Sequence, residues 1–540
     1  MKATGLLLLS TLMVCHSCQQ MPQADGIFYN GRIYTVDSAF SIVQAMAIRD
    51  GRILAVGNND LRKRFSGKEV NLHGAALYPG FIDSHCHFYG YATSLAQCDL
   101  TGTRSFDEVI QRVKAFALHN RFEWILGRGW DQNDWPRKEF PDRSLLDSLF
   151  PDVPVFLLRI DGHAALVNQK VLQMAGFHRH THIDGGELLV HQGRLTGILI
   201  DNAVDSVSKL IPEYSPSLMA GWLHQAQQNC FQVGLTTVVD AGLELKTILL
   251  IDSLQRAGRL DLSVYAMASW NEENRNYFFQ KGKIKTAGLH VESFKLYADG
   301  ALGSRGACLL EPYSDRPAHH GFLLQPAEAL QAAAQEIYRH GFQMNTHCIG
   351  DSANRLMLQI YAAVLKGKND RRWRIEHCQT VHPDDMAMFG QYSIIPSVQP
   401  THATSDMYWA EARLGSQRIK TAYAYRQLLE SAELLALGSD FPVESINPLL
   451  GFYAAIERKD LKGFPPGGFQ KENAIRRQQA LQGMTRWAAY SIFEEQEKGS
   501  LEPGKRADFV VLDKDIMTCA AEEIPAVKVL QTWVGGRQVY

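Results

Sequence analysis

His85 and His87 sit two residues apart at the end of an apolar run, Phe81 to His87. On a β-strand that spacing points both imidazoles the same way, so the pair can hold one ion. Lys295, His347, His377 and Asp440 close or nearly close comparable runs. Neutral imidazoles with a carboxylate suit Zn²⁺ or a related first-row divalent metal. Taken singly these signals carry little, because a His-X-His pair or a strand-end histidine is often structural. They gain meaning only if one scaffold gathers all of them.

That scaffold is legible as short β-branched and apolar runs alternating with longer helical patterns. The runs are Phe81 to His87, Thr236 to Asp240, Val264 to Ser269, Glu292 to Tyr297, Phe342 to His347, Arg374 to His377, Ser393 to Val398 and Leu434 to Asp440. Alternation implies a parallel sheet, and eight units imply an α/β fold of the (β/α)8 TIM-barrel type, with a doubly wound open sheet as the alternative. In such barrels the C-terminal strand ends form the active-site face, and that is where these residues fall. About 150 residues separate the first run from the second, far beyond an ordinary βα loop. A folded insertion over about residues 88–235 is therefore expected inside a barrel domain spanning 80–498. Residues 22–79 and 499–540 read as short strands with turns, Asp50-Gly51 among them. They are expected to pair into one small β-sandwich.

Composition bounds the partners. Apolar residues make up 46% and charged residues 21% of the 540, ordinary for a soluble globular chain. With a net charge of -2 and no basic stripe, a nucleic-acid partner held through phosphates is not expected. No segment after residue 20 suits a bilayer span. Residues 1–18 differ: Lys2 precedes an apolar run, Leu6 to Val14, that is too short to span but suits a secretory signal. Ser17-Cys18 resembles a lipobox with Cys18 acylated, although Cys15 stands where Leu is usual. A plain cleaved signal or a buried helix is the alternative. The expectation is an exported bacterial lipoprotein, anchored at the membrane and facing the periplasm or cell exterior. The seven remaining cysteines are scattered and odd in number, so they make no disulfide framework. Cys86, Cys348 and Cys378 each follow a candidate ligand histidine and should point away from the metal, toward the helices.

The chain resembles the amidohydrolase superfamily and, within it, the family-3 (YtcJ-like) amidohydrolases. The resemblance rests on Pro79-Gly80-Phe81-Ile82-Asp83-Ser84-His85-Cys86-His87, Phe294 to Gly300, Asn345 to Asp351, Arg374-Ile375-Glu376-His377-Cys378, Gly438 to Pro442 and Gly504 to Leu512. Gly129 to Trp135 and Arg159 to His163, in the insertion, look like motifs of the same group. The resemblance implies a two-metal site: His85, His87 and Asp440 on the deeper ion, His347 and His377 on the second, and Lys295 bridging as a carbamate. An ammonium offers only donors, so Lys295 can ligate only after N6-carboxylation. The alternative is a free amine paired with Asp299 or Asp440 and a single ion.

On Zn²⁺ the pKa of water falls toward ~7, and the hydroxide would attack a polarised carbonyl or imine carbon. Asp440 would then carry the proton to the departing amine. His163 would stabilise negative charge or orient the substrate, unless it only packs a loop. Trp130, Asp131, Arg305 and Trp409 are candidate substrate contacts, with core packing, surface solvation or structural ion pairing as their alternatives. The expected activity is hydrolysis of a non-peptide C–N bond (amide, N-formyl or cyclic amide) in a small molecule. Deamination, decarboxylation or ester hydrolysis on the same site, or ligand binding without turnover, are the rivals.

Overall fold

The computed structural model describes residues 21–118 and 123–540; Cys18 and the signal-like segment lie outside the described residues. Eight parallel strands follow one another in chain order around a barrel: β1 (Phe81–Cys86), β2 (Leu235–Leu243), β3 (Ser263–Ser269), β4 (Leu289–Tyr297), β5 (Gln343–Cys348), β6 (Arg374–His377), β7 (Ile395–Val398) and β8 (Ala436–Leu437). Their runs are buried almost throughout, as expected of a parallel sheet covered on both faces. The last gap closes through loop hydrogen bonds. Asp440 N donates to His85 O at 2.7 Å, and His87 N donates to Phe441 O at 2.8 Å.

Buried Asp83 fastens the same seam. Its Oδ1 accepts His85 N and Ser439 N, and its Oδ2 accepts Ser439 Oγ at 2.6 Å. A Cβ on Gly438 would stand 2.5 Å from His85 N, so only glycine lets the chain after β8 lie against β1.

Side chains alternate between two layers. Val238, Val264, Ala266, Phe294 and Leu296 pack outward beneath the helices. Val239, Ala241, Tyr265 and Met267 point inward, where Ala488, Ala489 and Ile492 plug the barrel floor with Ile82. The β1–β2 register passes from Asp83↔Val238 to Cys86↔Asp240, leaving one extra residue in β1. This bulge reverses the parity of the strand. It lets Phe81 and Cys86 both pack outward while His85 turns toward the barrel axis. Cys348 and Cys378 join the outer layer too, as buried fillers.

Helix Phe88–Ser94 follows β1, and helix Pro216–Gln232 leads into β2. Between them lies a mixed six-stranded sheet in the order 186–191, 194–201, 164–167, 155–159, 125–130, 98–99, with an apolar cluster on each face. The amino- and carboxyl-terminal segments meet in a second unit of two sheets, one of four strands and one of six. Ala76–Pro79 pairs antiparallel with Phe509–Leu512 in the larger sheet. Phe28, Phe509 and Trp533 make mutual ring contacts of 4.9–5.3 Å in its core. No described helix is long and apolar enough to cross a membrane.

Candidate active site

The strand ends bring the six residues to one mouth. His85 lies near the end of β1, and His87 is the first residue beyond it, at the start of helix Phe88–Ser94. Lys295, His347 and His377 belong to β4, β5 and β6, and Asp440 stands three residues past β8. His377 and Asp440 adopt left-handed backbone, φ 77° and 64°. Such conformations cost about 1–3 kcal/mol and persist where the surroundings enforce them. His85, His377 and Asp440 offer ligand atoms within 4.8 Å of one another. The His347 ring lies 4.5 Å from that of His377, and Lys295 Nζ is 3.4 Å from His85 Nε2.

Hydrogen bonds orient the imidazoles. His85 Nδ1 donates to Glu376 Oε2 at 2.5 Å, leaving Nε2 aimed at Asp440. His377 Nδ1 donates to Gln399 Oε1 at 2.7 Å, which frees its Nε2 in the same way. Glu376 is itself gripped by both arms of buried Arg374, whose Nη2 also reaches Ser84 O and Ser397 Oγ. Burial would raise the Glu376 carboxyl, but Arg374 and His85 hold it well below the usual range. Carboxylate–histidine pairs of this kind fix the ligand tautomer and raise its basicity. Glu376→Gln is therefore expected to weaken metal binding by about 10–100-fold, read by equilibrium dialysis. Unchanged affinity would remove this orienting role.

Electrostatics decide whether the donors fit a cation. Burial pulls His85 down to about 4 and His347 and His377 well below their ordinary value, so all three are neutral at pH 7. Burial raises Asp440, but His87 and His85 overcome it and hold the carboxyl far below its usual range. Asp440 Oδ1 is buried and accepts no well-formed hydrogen bond, although His87 Nε2 is 3.2 Å away and His85 Nε2 3.6 Å. A carboxylate facing imidazole lone pairs is repulsive unless a cation lies between them. The donor set therefore fits a divalent metal. Lys295 is buried, and desolvation lowers its amine to about 8, so a usable neutral fraction exists near neutral pH.

A cavity of about 1290 Å³ opens above these residues, walled by the insertion and by the loops after the strands. His163 lines it, with its ring 5.0 Å from that of His347. Its Nδ1 bonds Asp201 Oδ1 at 2.6 Å; burial alone would lower its pKa, yet Asp201 lifts it to about 9. Asp131 and Trp409 also line the cavity. Asp131 is held by Arg159 at 2.5 Å and caps the turn at Asn133, while Trp409 carries Arg413 over its ring.

Two expected substrate contacts are corrected. Trp130 is buried in the insertion's own core, with Nε1 on Leu157 O and its ring against Trp135. A β-bulge between Arg128 and Trp130, with Gly129 at φ 113°, turns Trp130 onto the face of Ile125 and away from the cavity. Arg305 lies off the cavity wall, paired with Asp315 through Nη2 at 2.8 Å and Nε at 3.2 Å. Glu376, Arg374, Gln399 and His402 were missed. His402, on helix Pro400–Asp406 just after β7, lies 3.8 Å from Asp440 Oδ2. Its position directly behind the seventh apolar run was an available signal.

A family model described as "Amidohydrolase family" matches residues 68–540. Protein LONG AFTER FAR-RED 3 of Arabidopsis thaliana is 36% identical, over 96% of this chain and 92% of its own length. YtcJ of Bacillus subtilis is 30% identical over 95% and 99%. The N-substituted formamide deformylase of Arthrobacter pascens is 24% identical over 95% and 97%. Among solved structures, an uncharacterized metal-dependent hydrolase from Pyrococcus horikoshii superposes with a TM-score of 0.75 at 28% identity, covering 92% of this chain and 99% of that one.

Proposed function

The chain belongs to the amidohydrolase family, and from that premise we propose that it hydrolyses a non-peptide C–N bond, in an amide, N-formyl or cyclic amide small molecule. The observation that carries this reading is the ionised Asp440, buried without a well-formed partner at Oδ1 and grouped within 4.8 Å with the neutral imidazoles of His85 and His377. Bound Zn²⁺, held by His85, His87 and Asp440 and by His347 and His377, would acidify water and polarise the scissile group. Asp440 takes the proton from the attacking water and passes it to the amine as the bond breaks. His163, kept cationic by Asp201, stabilises the negative charge that develops on the substrate oxygen. Lys295 is N6-carboxylated, its buried amine being neutral often enough to add CO₂. The sequence similarity to an N-substituted formamide deformylase, over 95% of this chain, supports the choice of bond.

The test is a panel of N-formyl amines, N-acyl amines and cyclic amides against the zinc-loaded protein, with esters and aminopurines alongside. Turnover of amides is the expected result. Turnover confined to esters or aminopurines would overturn the assignment of the bond.

The proposal extends to location: an exported chain anchored through acylated Cys18, with no other membrane attachment. Its support is the apolar run ending in Ser17-Cys18. Labelling with a fatty acid in cells should mark the native chain and be lost in Cys18→Ser; label that persists in the variant would refute the anchor.

A further inference from the structure

Arg128 is a cation that none of the preceding chemistry uses. It lies on the insertion strand Ile125–Trp130, just before the bulge, and lines the cavity. Its Nη2 donates to Ile160 O at 3.1 Å, its Nε is buried without a partner, and no carboxylate among the described residues pairs with it. The carboxylates around it are already committed. Asp161 binds Arg159 through Oδ2 and accepts His163 N through Oδ1, while Asp440 belongs to the imidazole cluster. The contrast with Arg159 is informative. Burial would lower both guanidinium groups, but Asp131 and Asp161 lift Arg159, whereas Arg128 stays lowered.

Arg128 is partly exposed on the cavity wall, with Gly162, at φ 78°, beside its guanidinium; a Cβ there would make only ordinary contact with Nη2 and Nη1, at 3.8–3.9 Å. A guanidinium cannot shed its proton, so this partly exposed cation, with no carboxylate partner among the described residues, is available to an anion entering the cavity. Its fork of donors matches a carboxylate in two-point contact. Asp134 and Asp205 also line the cavity, and their charge disfavours a multiply charged anion relative to a carboxylate.

We propose that Arg128 anchors a carboxylate of the substrate, making the substrate an amide that also bears an acid group, such as an N-acyl or N-formyl amino acid. The acid end rests beside Gly162 on the insertion side, and the amide reaches past His163 to the metal ligands. This inference names the substrate class of the proposed C–N hydrolysis and so rests on that reading, but its test does not depend on turnover.

Binding of N-acetylglycine, N-acetylphenylalanine and their C-terminal amides to the full-length zinc-loaded protein would be measured by calorimetry, for the native chain, Arg128→Gln and Arg128→Lys. The expected result is at least tenfold tighter binding of at least one acid than of its matched amide. That margin should vanish in Arg128→Gln and return in part in Arg128→Lys, with melting temperatures showing that both variants fold. No margin in the native chain, or an equal margin in Arg128→Gln, would overturn the anchor. A margin that depends on Arg128, without hydrolysis of any amide, would leave the anchor standing and refute the proposed reaction.

Discussion

Asp440→Asn is expected to lower kcat/KM by about 10²–10⁴-fold, the span of a lost general acid–base group, while the metal-free variant melts near the metal-free native chain. The side chain is ionised, buried, and within 3.2–3.8 Å of three imidazole nitrogens, on His87, His85 and His402. Asn keeps its shape but can neither carry the proton nor supply an anion to the metal. Asn also tolerates the left-handed backbone at this position, φ 64°, better than most residues. The fold should therefore survive, and circular dichroism with thermal melting would check it. A variant within tenfold of native activity would mean that another group moves the proton.

Stripping the metal is expected to abolish activity completely, and adding Zn²⁺ back should restore it. Elemental analysis should find between one and two equivalents per chain, with the lower value if Lys295 remains an amine. Stability should fall with activity. An ion at a hundred times its dissociation constant stabilises the native state by about 2.7 kcal/mol, so the stripped protein should melt at a lower temperature. A fully active metal-free protein would refute the central assignment.

The stripped protein should also lose stability in mild acid, and the sign follows from linkage. Burial holds His85 near 4, below its ordinary 6.5, and shifts His347 and His377 the same way. Between those values the unfolded chain binds more protons than the folded one. Stability therefore falls as pH drops from about 6.5 toward 4.

The sequence carried much of the architecture because hydrophobic periodicity is local. Eight apolar runs alternating with helical patterns have few ways to pack, and the barrel was legible from them. The metal-site candidates were legible because a barrel collects its strand ends on one face, so position within a run stood in for distance. Glu376 and Gln399 escaped because each acts through a histidine from another strand or loop, a relation without any sequence spacing. Arg305 looked available beside the Lys295 strand, yet its partner Asp315 lies ten residues on in a loop whose path local pattern does not encode.

The sequence alone therefore determined the fold class, the family resemblance and the six candidate ligands, since residue type and run-end position suffice for these. Only the tertiary structure decided which way individual side chains face. Strand side chains repeat every two residues, so one inserted residue sends all that follow to the opposite face. The bulge in β1 brings His85 inward while Cys86 stays in the outer layer. The bulge at Gly129 sends Trp130 into the insertion core and leaves Arg128 on the cavity wall without a carboxylate partner among the described residues. Bulges are stabilised by contacts with neighbouring strands, and those contacts exist only once the chain has folded.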